Sequence, residues 1–158
     1  MGVICRKPRH RAVVAGGYQW FRVKGAKQFY SGSNFYLFVQ EMKINDAMPT
    51  AANASGYFSS FVPSNVFDNI FDKTHAWGDS GSSASDSWLA VKLSTAAILQ
   101  KLSIHNCNGD GVNQPLCFDN FDVSGSNDST DGANGTWTLL ASGLTRSDDD
   151  YRWHEWTF

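Results

Sequence analysis

The side chains best suited to chemistry are concentrated between residues 67 and 77, in the run FDNIFDKTHAW. This run contains Asp68, Asn69, Asp72 and Thr74, all of which carry oxygen atoms. In a compact loop such side chains either coordinate a hard cation or accept hydrogen bonds from their own backbone. The residues alone leave both alternatives open, and in each of them the cluster holds a loop in place.

Two further runs copy parts of catalytic or metal-binding motifs. Gly78-Asp79-Ser80-Gly81 matches the segment around the nucleophile of trypsin-like proteases, but that chemistry needs an upstream His and Asp on a longer double barrel. The run from Asn127 to Gly132 matches the start of an EF-hand loop. Position twelve of that loop is Thr138 where the motif requires Glu, which favours a hairpin turn. We therefore expect a protein that is not an enzyme.

Composition limits the class of protein. The chain has 158 residues, enough for one domain with its own core, and its aromatic content of 14% against 18% charged residues favours β structure. A formal net charge of −2 predicts neither a nucleic-acid partner nor an anionic membrane surface. Three cysteines without a paired spacing make a zinc site improbable and favour free thiols.

The first fifteen residues differ from the rest of the chain. Residues 1–15 are rich in Arg, Lys and His around Pro8, and no apolar signal sequence with a cleavage site follows them. We expect a basic arm that is solvated or docks onto a partner protein, in a chain made in the cytoplasm without a signal peptide.

From residue 16 onward the pattern is that of a β-sandwich. Apolar residues alternate with polar ones in short runs separated by Gly, Ser, Asn and Asp. The predicted strands are 18–24, 35–45, 57–62, 88–93, 98–105, 116–123, 136–141 and 151–158. This predicts one all-β domain, 16–158, with an eight-stranded antiparallel jelly roll. Alternation places Leu89, Val91 and Leu93 on one face of their strand, and Trp137, Leu139 and Ala141 on one face of theirs.

Three ordered motifs resemble the discoidin, or coagulation-factor C-domain-like, superfamily of galactose-binding-like β-sandwiches. They are Phe67-Asp68-Asn69 with Asp72, Thr74 and Trp77; Trp88 to Leu93; and Phe121 to Asp128 leading into Thr136 to Leu140. The strand Val39 to Ile44 comes before the first motif, as in the permuted forms found in bacteriophage tail and other virion proteins. The resemblance covers 18–158. Asn69 replaces the glycine of the family, and 108–115 look like an insertion.

The resemblance implies a structural calcium ion under the 67–77 run. Glu41 falls where the metal-contacting Glu of the family falls. Calcium binds six to eight hard oxygens, so side chains and nearby carbonyls would contribute together. The implied metal ligands are Glu41, Asp68, Asn69, Asp72 and Thr74. The alternative is that these oxygens only cap turns.

The resemblance also implies a sugar site on loops at one end of the sandwich. There an aromatic ring stacks on the apolar face of a pyranose while polar side chains bind its hydroxyls. The candidate residues are His75, Trp77, Asp79, Asn106, Arg146, Tyr151 and Trp153. For the two tryptophans, packing in the core is the alternative.

These expectations lead to two hypotheses of function. The first is a non-catalytic module of a virion, such as a tail, baseplate or fibre component, that binds host-surface carbohydrate in several copies. The second is a structural virion protein, a capsid-decorating or tail-assembly subunit, that uses the sandwich for protein contacts and contacts other virion proteins through the N-terminal arm. Exposed loop aromatics beside His or Arg favour the first, and a broad apolar patch favours the second.

Overall fold

The computed structural model describes residues 16–26, 28–31, 34–72, 75–81, 86–106, 118, 120–145 and 152–158. The predicted basic arm, the insertion at 108–115 and all three cysteines lie outside them. Within the described ranges the chain is an all-β protein, and no helix there is long and apolar enough to cross a membrane.

The described residues form ten strands and one short 3-10 helix, Pro63–Phe67. The strands are β1 Tyr18–Ala26, β2 Gln28–Ser31, β3 Asn34–Ile44, β4 Ala51–Ala54, β5 Trp77–Gly81, β6 Asp86–Ala97, β7 Lys101–Asn106, β8 Asn120–Ser126, β9 Thr138–Thr145 and β10 Trp153–Thr157.

The strands form two antiparallel sheets. Sheet A has the order β4-β6-β1-β8-β9, and sheet B has the order β10-β7-β3-β2, with β5 also paired to β3. Alternate residues of both sheets point to a common core, as two packed sheets require. In sheet A these are Leu89, Val91 and Leu93 of β6, as predicted, and in sheet B they include Leu102 and Ile104 of β7. The result is a β-sandwich.

The structure corrects the expected set of eight strands. β2, β4 and β5 were not expected as separate strands, and the predicted strand 57–62 is not one. There Ser59 has a φ of 54° and the Phe61 N–H donates to the Phe58 carbonyl, so the chain turns back on itself. Its aromatic residues pack instead on sheet B, because the Phe61 ring contacts Phe38 edge to face. Period-two alternation does not distinguish such a turn from a strand.

A second correction concerns Leu139, which was placed on one face with Ala141. The register of β8 and β9 shifts, so that Ala141 lies opposite core-facing Val123 while Leu139 lies opposite Ser124. Ala141 is therefore buried and Leu139 is 38% exposed. A bulge of this kind inserts a residue and exchanges the two faces of a strand.

Loops cover the outer faces of both sheets. Residues 55–72 and 75–76, which we call the covering segment, cross sheet B, and the loop 127–136 lies on sheet A. In that loop Gly132 has a φ of 84°, and a Cβ there would be 2.7 Å from the ring of Trp20. Trp20 is consequently buried although it lies on the side of β1 that faces away from the core.

Candidate functional site

The candidate site is built on an irregularity in β3. The register between β3 and β7 shifts between Val39 and Glu41, so Gln40 and Glu41 are both fully buried beneath the covering segment. The Gln40 side-chain amide donates to the Asp72 carbonyl at 2.6 Å, which ties the covering segment to the strand. Glu41 lies directly opposite His105 of β7.

The Glu41 carboxylate is buried without compensation. Neither of its oxygens has a hydrogen-bond partner of good geometry among the described residues. The pKa of Glu41 is raised to about 7, chiefly by burial; the nearby Asp68 carboxylate also raises it, and the backbone N–H groups of Asn69 and Ile70 lower it in part. The Ile70 N–H is already donated to Asp68 Oδ1 at 2.9 Å, so it serves Glu41 poorly. An unpaired buried carboxylate is costly and calls for a proton or a cation.

The side-chain oxygens of Asp68 and Asp72 accept hydrogen bonds from the backbone, which was one of the two alternatives for this cluster. Besides its bond to Ile70, the Asp68 carboxylate approaches His75 Nδ1 at 2.9 Å, and Asp72 Oδ1 accepts the His75 N–H at 3.1 Å. The bond to Asp68 raises the pKa of His75. Asn69 has a φ of 58°, a left-handed conformation that Asn tolerates, which explains why it can replace a glycine here.

The metal ligands implied by the sequence are therefore only partly brought together. Glu41, Asp68 and Asn69 are neighbours, Asp72 belongs to the same loop, and Thr74 lies outside the described residues. Among the described residues, no three His, Cys, Asp or Glu side chains form a preformed metal-binding group. The two unpartnered Glu41 oxygens beside the Asp68 carboxylate nevertheless fit a hard cation, with backbone carbonyls completing its shell.

An aromatic cluster lies next to Glu41 on the outer face of sheet B. The rings of Phe71, His105 and Trp153 contact one another edge to face at centroid separations of 5.0 to 6.1 Å. Phe71 is 43% exposed, and the Lys43 ammonium lies 4.5 Å from the centroid of the Trp153 ring. The cluster thus presents apolar ring surface and a cation to solvent.

The predicted sugar-binding residues divide into three groups. Trp153 belongs to the aromatic cluster, and His75, with 40% of its side chain exposed, contacts Asp68 and Asp72 of the covering segment. Trp77 and Asp79 are buried on the core side of β5, where Trp77 stacks on Phe118 and donates to the Gly56 carbonyl. The Asp79 carboxylate accepts hydrogen bonds from the Ser55 and Ser87 hydroxyls. Neither offers a surface to a dissolved sugar, and we leave both out of the site.

The third group consists of residues whose side chains are not described. Asn106 ends β7, and Arg146 and Tyr151 lie outside the described residues. The aromatic cluster lies on the outer face of sheet B, whereas the resemblance implies a sugar site on loops at one end of the sandwich.

Sequence reasoning missed Phe71, His105 and Lys43. For His105 a signal exists, because Leu102 and Ile104 alternate with Ser103 and His105 and so predict that His105 faces away from the core. For Phe71 and Lys43 the sequence carries no comparable signal, since their contacts depend on how the covering segment crosses the sheet.

The loop that resembled the start of an EF-hand uses its carboxylates as turn caps. Asp128 Oδ1 accepts the Ser126 hydroxyl at 2.8 Å and the Thr136 N–H at 2.7 Å. Asp131 Oδ1 accepts the N–H groups of Ala133 and Asn134. These bonds hold the pKa of both aspartates below the ordinary value. The arrangement is that of a rigid turn.

Comparison of the chain with protein-family models, curated sequences and solved structures returned no match. The likeness to discoidin domains therefore stays an expectation from the motifs, and function is argued from the site.

We expect Asp128→Asn to destabilise the protein at neutral pH, because the amide loses the charge that strengthens the bonds from Ser126 and Thr136. The folded-state pKa of Asp128 is lowered, so this stabilisation is complete above the ordinary value and is lost as the pH falls through the folded-state pKa. The free-energy difference between variant and wild type, from urea unfolding, should shrink between pH 7 and about pH 3. A difference that is the same at both pH values would contradict the assigned role.

Proposed function

We propose that the chain is a non-catalytic binding module that recognises carbohydrate through the outer face of sheet B. The observation that carries the proposal is the partly exposed aromatic cluster of Phe71, His105 and Trp153, with Lys43 at its border. Sugars bind proteins by stacking an apolar ring face on an aromatic side chain while polar groups take the hydroxyls.

The cluster is held in place before any ligand arrives. His105 and Trp153 are paired across neighbouring strands, and Phe71 packs against both rings. Rings fixed in this way lose little conformational freedom on binding, which favours affinity. Phe71 supplies exposed ring area, and His75 supplies a nitrogen that can bind hydroxyl groups.

A structural calcium ion belongs to the same proposal. Glu41 and Asp68 would hold it, and it would neutralise the buried carboxylate. Its role is to fix the 67–72 part of the covering segment, and therefore the position of Phe71.

The virion context, the jelly-roll topology and attachment to a host-surface glycan in several copies rest on the resemblance in the motifs and their permuted order. Single sugar sites bind weakly, and presentation in multiple copies is what makes such modules effective.

A second function is supported by a different observation. Four of the six exposed large hydrophobic residues in the described part of the chain lie on the covering segment: Tyr57, Phe58, Ile70 and Phe71. Exposed apolar residues grouped on one surface are typical of protein interfaces. This favours the alternative of a structural subunit that packs against other virion proteins.

The two functions are separated by a matched pair of variants, Phe71→Ala and Tyr57→Ala. Both residues are exposed aromatics of the covering segment, but only Phe71 belongs to the aromatic cluster. On an array of neutral and host-surface glycans, with the protein coupled to a multivalent carrier, we expect Phe71→Ala to bind about tenfold more weakly and Tyr57→Ala to bind like wild type.

Absence of binding by the folded, multivalent wild type would overturn the carbohydrate proposal. Concentration-dependent self-association, measured by analytical ultracentrifugation and weakened by both variants, would support the assembly role instead.

Calcium should stabilise the wild type and leave Glu41→Gln unaffected. At a calcium concentration about a hundred times Kd, the expected gain is about 3 kcal/mol in the free energy of unfolding. Without calcium we expect Glu41→Gln to be more stable than the wild type at neutral pH. The folded-state pKa of Glu41 is raised to about 7, so the wild type loses stability as the pH rises toward that value. Glu41→Gln removes this cost.

Glu155→Gln is the control, because Glu155 is an exposed carboxylate on the same sheet. It should keep the full response to calcium in thermal unfolding. An equal response to calcium in Glu41→Gln and wild type would rule out Glu41 as a ligand.

A further inference from the structure

A second group of rings and a cation lies on the opposite side of the sandwich, on the outer face of sheet A. The Arg22 guanidinium carbon is 4.1 Å from the centroid of the Trp137 ring and 5.7 Å from that of Trp88. Trp88 belongs to β6, Arg22 to β1, and Trp137 immediately precedes β9. All three side chains are half-buried.

Arg22 stands between small neighbours. Across β1 it is paired with Ala90 of β6 on one side and with Ser124 of β8 on the other. Neither neighbour reaches as far from the sheet as the guanidinium. The two tryptophans therefore border a half-buried cation, and the loop 127–136 covers the neighbouring Ala90.

The guanidinium of Arg22 has no hydrogen-bond acceptor in the part of the chain that the structure describes. Among the described residues no carboxylate, carbonyl or hydroxyl accepts a hydrogen bond from it, and no salt bridge includes it. Burial lowers the pKa of Arg22, although an arginine stays charged under all ordinary conditions. A partly desolvated guanidinium with unused N–H donors is well suited to a carboxylate, which it can bind through two parallel hydrogen bonds.

The acidic residues on this side of sheet A have partners of their own. Asp86 pairs with Lys24 at 3.3 Å, Asp122 accepts the Gly143 N–H at 3.0 Å, and Asp128 and Asp131 of the loop 127–136 accept N–H groups within that loop. Lys92, on the same face, has no carboxylate partner among the described residues. Two cations without acidic partners therefore lie on one face together with two half-exposed indole rings.

We propose that Arg22, Trp88 and Trp137 form a second binding site on sheet A that takes a carboxylated sugar residue of the uronic acid type. The carboxylate binds the guanidinium, and the apolar face of the pyranose packs on indole. The site is independent of the proposed carbohydrate site on sheet B, which contains none of these residues.

The probe is a tetrasaccharide of 1,4-linked glucuronic acid, and the comparison ligand is its carboxyl-reduced form, which differs only in lacking the carboxylates. By titration calorimetry we expect the wild type to bind the acidic tetrasaccharide about tenfold more tightly than the reduced one. Arg22→Gln should abolish that preference. Arg22→Lys, which keeps the charge and the long stem but loses the planar fork, should retain only part of it.

Lys24→Gln is the matched control, because it removes the same charge from the same face and from a residue already paired with Asp86. It should change affinity for the acidic tetrasaccharide by less than about threefold. Phe71→Ala should leave that affinity unchanged, which separates this site from the one on sheet B.

Equal affinity of the wild type for both tetrasaccharides would overturn the proposal, as would equal weakening by Arg22→Gln and Lys24→Gln. So would a failure of the wild type to bind the acidic tetrasaccharide at about 10 mM. Thermal unfolding of each variant confirms that the sandwich is intact, and Arg22→Lys keeps the test decisive if Arg22→Gln is unstable.

Discussion

The burial of the Glu41 carboxylate beneath the covering segment is the constraint on which the proposed site depends. A bulge in β3 turns Gln40 and Glu41 toward the outer side of sheet B, where Gln40 binds the Asp72 carbonyl and the Glu41 carboxylate has no well-formed hydrogen bond within the described residues. The first interaction holds the covering segment, while the second leaves a charge that must be neutralised. Phe71 and His75 belong to the covering segment, so their positions depend on how the Gln40 amide is bonded and the Glu41 carboxylate is neutralised.

Each sheet of this sandwich carries a candidate binding site on its outer face, whereas the core between the sheets is apolar. The outer face of sheet B has the cluster around Trp153, and the outer face of sheet A has Arg22 between two tryptophans. Rigid strands position the ring that each site depends on, and loops supply the residues that vary most easily. This division between scaffold and loop is common among binding modules.

Much of the sandwich could be predicted from alternation. Leu89, Val91 and Leu93 form an uninterrupted period of two, and the structure confirms that they face the core. Alternation failed where a bulge exchanged faces, at Leu139, and where aromatic residues formed a turn, at 57–62. A bulge costs one residue of register and leaves no mark in composition, so the sequence alone does not reveal it.

The candidate site was predictable in its polar half, but of its aromatic half only Trp153 was predicted. The local spacing of Asp68, Asp72 and His75 indicated a compact turn, and short-range hydrogen bonds form there. Trp77 and Asp79 were selected by residue type, yet their strand points them into the core. Phe71 meets Trp153 across more than eighty residues of chain, and only the crossing of the covering segment decides that contact.

The most direct test of the central claim is to follow the indole N–H signals of the six tryptophans by NMR while a neutral host-type oligosaccharide is added. The account predicts that the Trp153 signal shifts with ligand, and that the signals of buried Trp77 and Trp156 stay where they are. A titration that moves other indole signals and leaves Trp153 unchanged would contradict a sugar site on the outer face of sheet B.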